Sequence, residues 1–443
     1  MTEKSTKAKV TEANEAALEL GTRSDSERSA SLHRIADAIE DSQEEILDAN
    51  AEDVREAEEM LASGEYSRAL VDRLELSPSK LRSIAEMVRS VADQEDPLGK
   101  TFTARRLDEE LELYKVAVPI GVIGTVFESR PDALVQIAAL SLKSGNAVIL
   151  KGGSEASSSN RVLFEIIRDA ASELPGGWAQ LIEAREDVDT MLGMDDSIDL
   201  LMPRGSSEFV SYIQDNTSIP VLGHTEGVCH VFVDSEADLS MASEIAYDAK
   251  VQYPAVCNAV ETLLVHEDVA DEFLPDIAGR YRNADVELRG DEATREIIEA
   301  KPATTEDWST EYGDLTLSIK IVEALESAID HVNTYGSKHT DSIVTAVTER
   351  AGTFMRAVDS ASVFHNASTR FSDGYRYGLG AEVGISTGKT HARGPVGLEG
   401  LTTYKYHLEG SGQTVGVYAG DDANPFLHEE FEGEWNSGRL SEE

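Results

Sequence analysis

From Val116 onward the chain repeats one pattern: a short apolar run, a turn, then a stretch with apolar residues at helical spacing. "VAVPIGVIGTVF" (116–127) reads as a buried strand, followed by the turn "ESRPD" and by Pro131 at a favoured first helical position. The helix "DALVQIAALSLK" ends at Gly145–Asn146, and "AVILK" returns as a strand. The next helix sets Val162, Leu163, Ile166, Ile167 and Ala170 on one face, and "IDLLM" (198–202) is a further strand closed by "PRGSS". After residue 235 the rhythm resumes in "ETLLV", "IKIV", "SIVTAV" and "SVFHN". Strands joined through helices run parallel, because each helix carries the chain back to start the next strand in the same direction. The expected fold is therefore α/β, with two parallel-sheet domains covered by helices.

The remaining segments read differently. Residues 10–96 are helical, with Leu32, Ile35 and Ile39 on one face. Residues 101–118 alternate as a β arm would, and "LTTYKYHLEG" within 400–417 is strand-like too. The expected division is residues 1–100 and 119–234 as one domain, 235–385 as the second, and 101–118 with 400–417 as the arm. The segment 421–443 holds eight acidic residues and one arginine, so it is expected to be a mobile acidic tail.

Charge constrains the surroundings. The 443 residues include 83 acidic and 39 basic ones, a balance of −44. Such a surface repels nucleic acid and anionic membranes, and self-repulsion works against compaction. Molar salt shortens the screening length to about 3 Å and removes most of that cost, which implies the cytoplasm of a halophile. No apolar run approaches the roughly 18 residues of a membrane span, and "MTEKSTKAKVTEANEAA" lacks a signal peptide's apolar core. The expected location is cytoplasmic. Residues 115–161 and 365–406 each carry five basic against three acidic residues. Either these stretches are buried, or they form a basic pocket for an anionic small molecule.

Two cysteines make no disulfide framework. Cys229 alternates along a strand and reads as core. Cys257, in "YPAVCNAVETLLV", stands in a turn before a strand, where it is either a small buried hydrophobe or a nucleophile. Two turns follow strands at positions suited to phosphate: "LKGGSE", with Lys151 and Ser154, and "PRGSSEF", with Gly205 and Ser206 at a helix start. Arg130, Arg370 and Arg393, with Asn366, Ser368 and Thr369, are the groups that would hold an anionic substrate. His365 stands where an apolar strand residue is expected. His224, His230 and His391 have no metal-ligand spacing, so no metal is expected.

Taken in order, "VPIGVIGTVFESRPD", "GNAVILKGGSEA", "PRGSSEF", "GVCHVFVD", "CNAVETLLV", "NASTRFSDG" and "GLGAEVGISTGKTHARGPVGLEGLTTYK" resemble the gamma-glutamyl phosphate reductase family. That family lies within the aldehyde dehydrogenase superfamily, and the resemblance runs from about residue 10 to about residue 408. It implies an aldehyde dehydrogenase-like fold with an oligomerisation arm, hence a homo-oligomer. It implies reduction of L-glutamyl 5-phosphate to L-glutamate 5-semialdehyde in proline biosynthesis, with glutamate 5-kinase as a candidate partner. By resemblance Cys257 is the nucleophile that forms a thioester. Relatives that prefer NAD carry Lys-x-x-Glu after this strand. Here Lys151 is followed by Ser154, which does not repel a 2′-phosphate, so NADPH/NADP is expected, although Glu155 is adjacent. Relatives that hydrolyse the thioester carry a glutamate near the position of Gly223, and its absence argues against the alternative of a hydrolytic semialdehyde dehydrogenase.

Overall fold

The computed structural model describes residues 4–436 apart from Arg185 and Thr225. Its first sheet has four parallel strands in the order Ala179–Ile182, Ala147–Gly152, Val122–Phe127, Leu200–Arg204. Every residue of the two central strands is buried. A parallel sheet covered on both faces has no polar side, and this is why these runs are apolar without alternation. On one face, Leu32, Ile35, Leu81 and Val88 of the N-terminal helices pack with Leu134, Ile123 and Val148 in a single core. On the other, Val10 and Ala13 of helix Thr6–Leu20 meet Val122 and Ile149.

The second sheet has seven parallel strands in the order Lys301–Pro302, Glu287–Gly290, Thr316–Val322, Val260–His266, Cys229–Val233, Thr340–Val344, Ser362–His365. Cys229–Val233 sits between Val260–His266 and Thr340–Val344. The boundary expected between residues 234 and 235 is therefore corrected upstream, into the irregular stretch before Cys229. A buried strand has the same local signature in either sheet, and only its pairing partners reveal which one it joins.

The run "VAVPIGVIGTVF" is two strands rather than one. Leu111–Pro119 belongs to an antiparallel sheet and Val122–Phe127 to the first parallel sheet. The chain turns at Gly121, φ +134°, where a Cβ would lie 2.2 Å from the Asp199 carboxylate oxygen that accepts the Val122 N–H. Only glycine fits there.

The antiparallel sheet is ordered Thr402–Glu409, Leu111–Pro119, Thr101–Asp108, Glu429–Phe431. Its last strand corrects the expectation of a mobile tail from residue 421. Ala104 pairs with Phe431, the Phe431 ring meets Tyr114 edge-on at 5.9 Å, and the Trp435 N–H donates to Thr101 Oγ1 at 2.9 Å. The aromatic residues within the acidic run supply the apolar contact that a charge count overlooks. Residues 437–443 lie outside the described residues. Among those described, no helix is long and apolar enough to cross a membrane.

Candidate active site

Cys257 lies in the turn between helix Leu239–Val251 and strand Val260–His266, at the amino-terminal edge of the second sheet. Its backbone is pinned from several sides. The Cys229 thiol donates to the Cys257 carbonyl at 3.2 Å, and the neighbouring Asn258 side chain donates to the Ser372 carbonyl at 2.8 Å. Gly227 is pressed so close that a Cβ there would lie 2.1 Å from the Cys257 carbonyl oxygen. The thiol is thus held at a set position on a residue that is itself only partly buried.

Burial pushes the Cys257 thiol up to about 12, Glu311 and Glu382 add to the rise, and Arg204 opposes it. Glu311 accepts the Gly227 N–H at 2.9 Å and Glu382 the Gly374 N–H at 2.7 Å. Burial raises both carboxyls. One ring nitrogen each of His224 and His339 and the thiol lie within 4.8 Å of one another. Burial lowers both histidines, His339 to about 3.

Arg204 ends the last strand of the first sheet and donates to the Val383 carbonyl at 2.5 Å. Burial lowers its pKa, with Arg130 acting in the same direction and Glu382 and Cys257 opposing. The carboxyl edge of the first sheet therefore faces the amino edge of the second, with the thiol between. Along that carboxyl edge three turns succeed one another: Glu128–Arg130, Lys151–Glu155 and Arg204–Ser206. Ser206 is the N-cap residue of helix Ser207–Asp215, and its side chain makes no capping hydrogen bond there. At Gly152 a Cβ would lie 2.2 Å from the Asn160 amide, so turn and helix approach as a dinucleotide crevice requires.

A model of the aldehyde dehydrogenase family matches residues 1–299. The chain belongs to the aldehyde dehydrogenase family. It is 75% identical over 98% of its length to the whole of the gamma-glutamyl phosphate reductase of Natronomonas pharaonis. With that of Haloquadratum walsbyi it shares 68% identity, over 96% of this chain and 95% of the relative. The crystal structure of the gamma-glutamyl phosphate reductase from Thermotoga maritima superposes with a TM-score of 0.90 at 40% identity, covering 93% of this chain and all of that one.

In this aldehyde dehydrogenase family member the expected site residues occupy distinct settings. Lys151 is buried and donates to the Gly152 carbonyl at 2.6 Å. Ser154, Gly205 and Ser206 are exposed at the crevice, and the Ser206 N–H donates to Glu128 at 3.2 Å. Glu155 accepts from both the N–H and the hydroxyl of Ser129, so its carboxylate is directed at the first turn. Arg130 pairs with Asp132 at 2.8 Å; burial lowers its pKa, but Asp132 outweighs that and the net shift is upward.

Arg370 is buried, donates to the Gln252 side chain at 3.0 Å and senses the Cys257 thiol electrostatically. Ser368 accepts the Arg370 N–H at 3.3 Å, and the buried Thr369 hydroxyl has no hydrogen-bond partner. Asn366, at φ +54°, spends both ends of its amide on the Thr345 backbone. His365 has a use after all: its Nε2 meets the Thr345 carbonyl at 3.0 Å, closing the same strand end. Arg393 donates to the Thr387 and Asp359 carbonyls and pairs with Asp359 at 3.2 Å.

Sequence reading missed Arg204, His339, Glu311 and Glu382, and gave His224 no role. Arg204 had a signal, a cation closing a strand inside a motif already singled out for its serines. Position 223 is glycine, as read from the sequence, but Glu311 and Glu382, from segments far from it in sequence, act electrostatically on the thiol.

Proposed function

We propose that this chain is an NADPH-dependent oxidoreductase that converts L-glutamyl 5-phosphate to L-glutamate 5-semialdehyde and phosphate, the second step of proline biosynthesis. The substrate comes from the name shared by its relatives. The observation that carries the reading to this site is that Arg204 and Arg370 both act electrostatically on Cys257, with Arg130 in turn acting on Arg204, in a chain of balance −44. An acyl phosphate with an α-carboxylate is the kind of anion such a pocket draws in.

Cys257 Sγ attacks the γ-carbonyl carbon, forming a C–S bond as the C–O bond to phosphate breaks, and the thiol proton leaves on the departing phosphate. The oxyanion formed at that carbon accepts from the Cys257 backbone N–H. Arg130, Arg204 and Arg370 hold the carboxylate and phosphate between them, with Ser368, Thr369 and Asn366 shaping the loop beside Arg370, and Arg393 bracing residues 359–387. The chemistry a bound nicotinamide supplies is hydride to the acyl carbon, after which Sγ is released and the semialdehyde departs.

Lys151, Ser154, Gly205 and Ser206 would hold the dinucleotide. Glu155 supports the NADPH reading, because Ser129 engages this carboxylate, which next to Ser154 would otherwise repel a ribose 2′-phosphate. In this reading the first sheet with its helices is the cofactor-binding domain and the second the catalytic domain. Strand Thr402–Glu409, an open edge bearing exposed Tyr404, Tyr406 and Leu408, joins a second copy of the chain. A kinase that makes the acyl phosphate is the natural partner in the cytoplasm.

A second reading has its own observation. Glu311 and Glu382, which act electrostatically on the thiol, are carboxylates that would activate water in a hydrolytic semialdehyde dehydrogenase. One experiment separates the two: oxidation of glutamate semialdehyde with NADP or NAD in molar KCl, with and without phosphate. The reductase reading expects a burst of at most one NADPH per chain without phosphate, steady turnover with it, and a higher kcat/KM for NADP than for NAD. Sustained turnover without phosphate selects the hydrolytic reading.

A further inference from the structure

The described residues contain one group of thiol and imidazole donors that meet at a point: Cys257, His224 and His339, whose ligand atoms lie within 4.8 Å of one another. Both imidazoles are anchored through Nδ1. His224 Nδ1 meets the Ile385 carbonyl at 3.0 Å, so it carries the hydrogen and leaves the Nε2 lone pair bare. His339 Nδ1 meets the Thr340 hydroxyl at 2.8 Å, and its Nε2, on a fully buried ring, has no hydrogen-bond partner. A histidine whose second nitrogen is anchored by a carbonyl or hydroxyl is the usual arrangement around a protein-bound metal. The rings stand 5.3 Å apart at 74°, so neither blocks the other's approach to a shared centre.

We propose that Cys257, His224 and His339 form a site for a thiophilic divalent cation of the zinc class, which occupies the nucleophile and reversibly switches the enzyme off. Tetrahedral zinc with bonds of about 2.0–2.3 Å needs donors roughly 3.3–3.6 Å apart, so the three donors, now no more than 4.8 Å apart, close in by at most about 1.5 Å. The three protein donors leave the fourth tetrahedral position to water. Binding exchanges the thiol proton, released to solvent, for a zinc–sulfur bond. The site needs no assumption about the substrate, so it stands or falls separately from the reductase reading. The hard cation magnesium, which takes oxygen donors, is excluded by the same ligand set.

The test uses the full chain in molar KCl, stripped with a chelator and titrated with zinc and with cobalt(II). Expected are one tight zinc per chain, loss of turnover in proportion to occupancy, and recovery with EDTA. Cobalt should give intense visible bands of tetrahedral geometry and a near-ultraviolet sulfur-to-cobalt band that Cys257→Ser removes. His224→Gln and His339→Gln should each weaken zinc binding at least tenfold. If the buried His339→Gln fails to fold, His224→Gln and the wild-type cobalt spectrum decide alone. A weak octahedral cobalt spectrum without the sulfur band, or a folded His224→Gln that binds zinc as tightly as wild type, overturns the site.

Discussion

Arg204 shows how a single residue links the two halves of the site. Its guanidinium donates to the Val383 carbonyl and lies within electrostatic reach of Glu382, Arg130 and the Cys257 thiol. Without that cation the thiol keeps the burial and the two carboxylates that hold its proton on, and the anionic substrate loses one of its attractors. Arg204→Met should therefore lower kcat/KM about a hundredfold, roughly 2.7 kcal/mol of barrier. Arg204→Lys should recover part of it, because the charge returns without the fork. Cys257→Ala should abolish turnover and leave NADPH binding, read by nicotinamide fluorescence, nearly intact. Retention of a tenth of the rate, a loss of only about 1.4 kcal/mol, would remove the thioester from the mechanism.

At the scale of elements, the short turn Glu306–Ser309 ties down the outer strands of the second sheet. Asp307 accepts from the Thr304 N–H at 2.7 Å, from Arg289 at 2.6 Å and from the Tyr312 hydroxyl at 2.8 Å. Burial alone would raise its carboxyl, but these donors win and hold it at about 2. A depressed carboxylate stabilises the fold above its unfolded pKa of about 4 and loses that contribution as pH falls towards the folded value. Asp307→Asn should cost about 1–2 kcal/mol at neutral pH after allowance for screening, and the difference from wild type should shrink between about pH 4 and pH 2. Denaturant melts at both ends of that range are the check, and a pH-independent difference would mean that packing rather than charge holds the turn. Much of this scale was legible in one dimension. The helix opened by Pro131 and the strands around "AVILK" and "ETLLV" lie where apolar period and breakers put them. The strand 429–431 was not, because a three-residue edge strand depends on the partner it meets.

For the whole molecule the governing quantity is the balance of −44. Carboxylates crowd helix Gln43–Ser63 and its neighbours, and their mutual repulsion reaches about 10 Å at 0.1 M salt but only about 3 Å at 1 M. The melting temperature should rise steeply between about 0.1 M and 2 M KCl. A flat profile by circular dichroism across that range would show that the core outweighs the surface charge unaided.

What the sequence by itself determined is what depends on neighbours along the chain: the parallel α/β class, the helical first hundred residues, the turns that end the strands and the singular position of Cys257. These follow from apolar period, breakers and composition, each readable within a window of a dozen residues. Only the tertiary structure decided that Cys229–Val233 joins the second sheet, that the tail closes the antiparallel one, and that Arg204, Glu311, Glu382, His224 and His339 surround one thiol. Sheet partners and site neighbours are chosen by burial and charge across loops that bring distant segments together, and nothing in the local order of residues records which distant segments will meet.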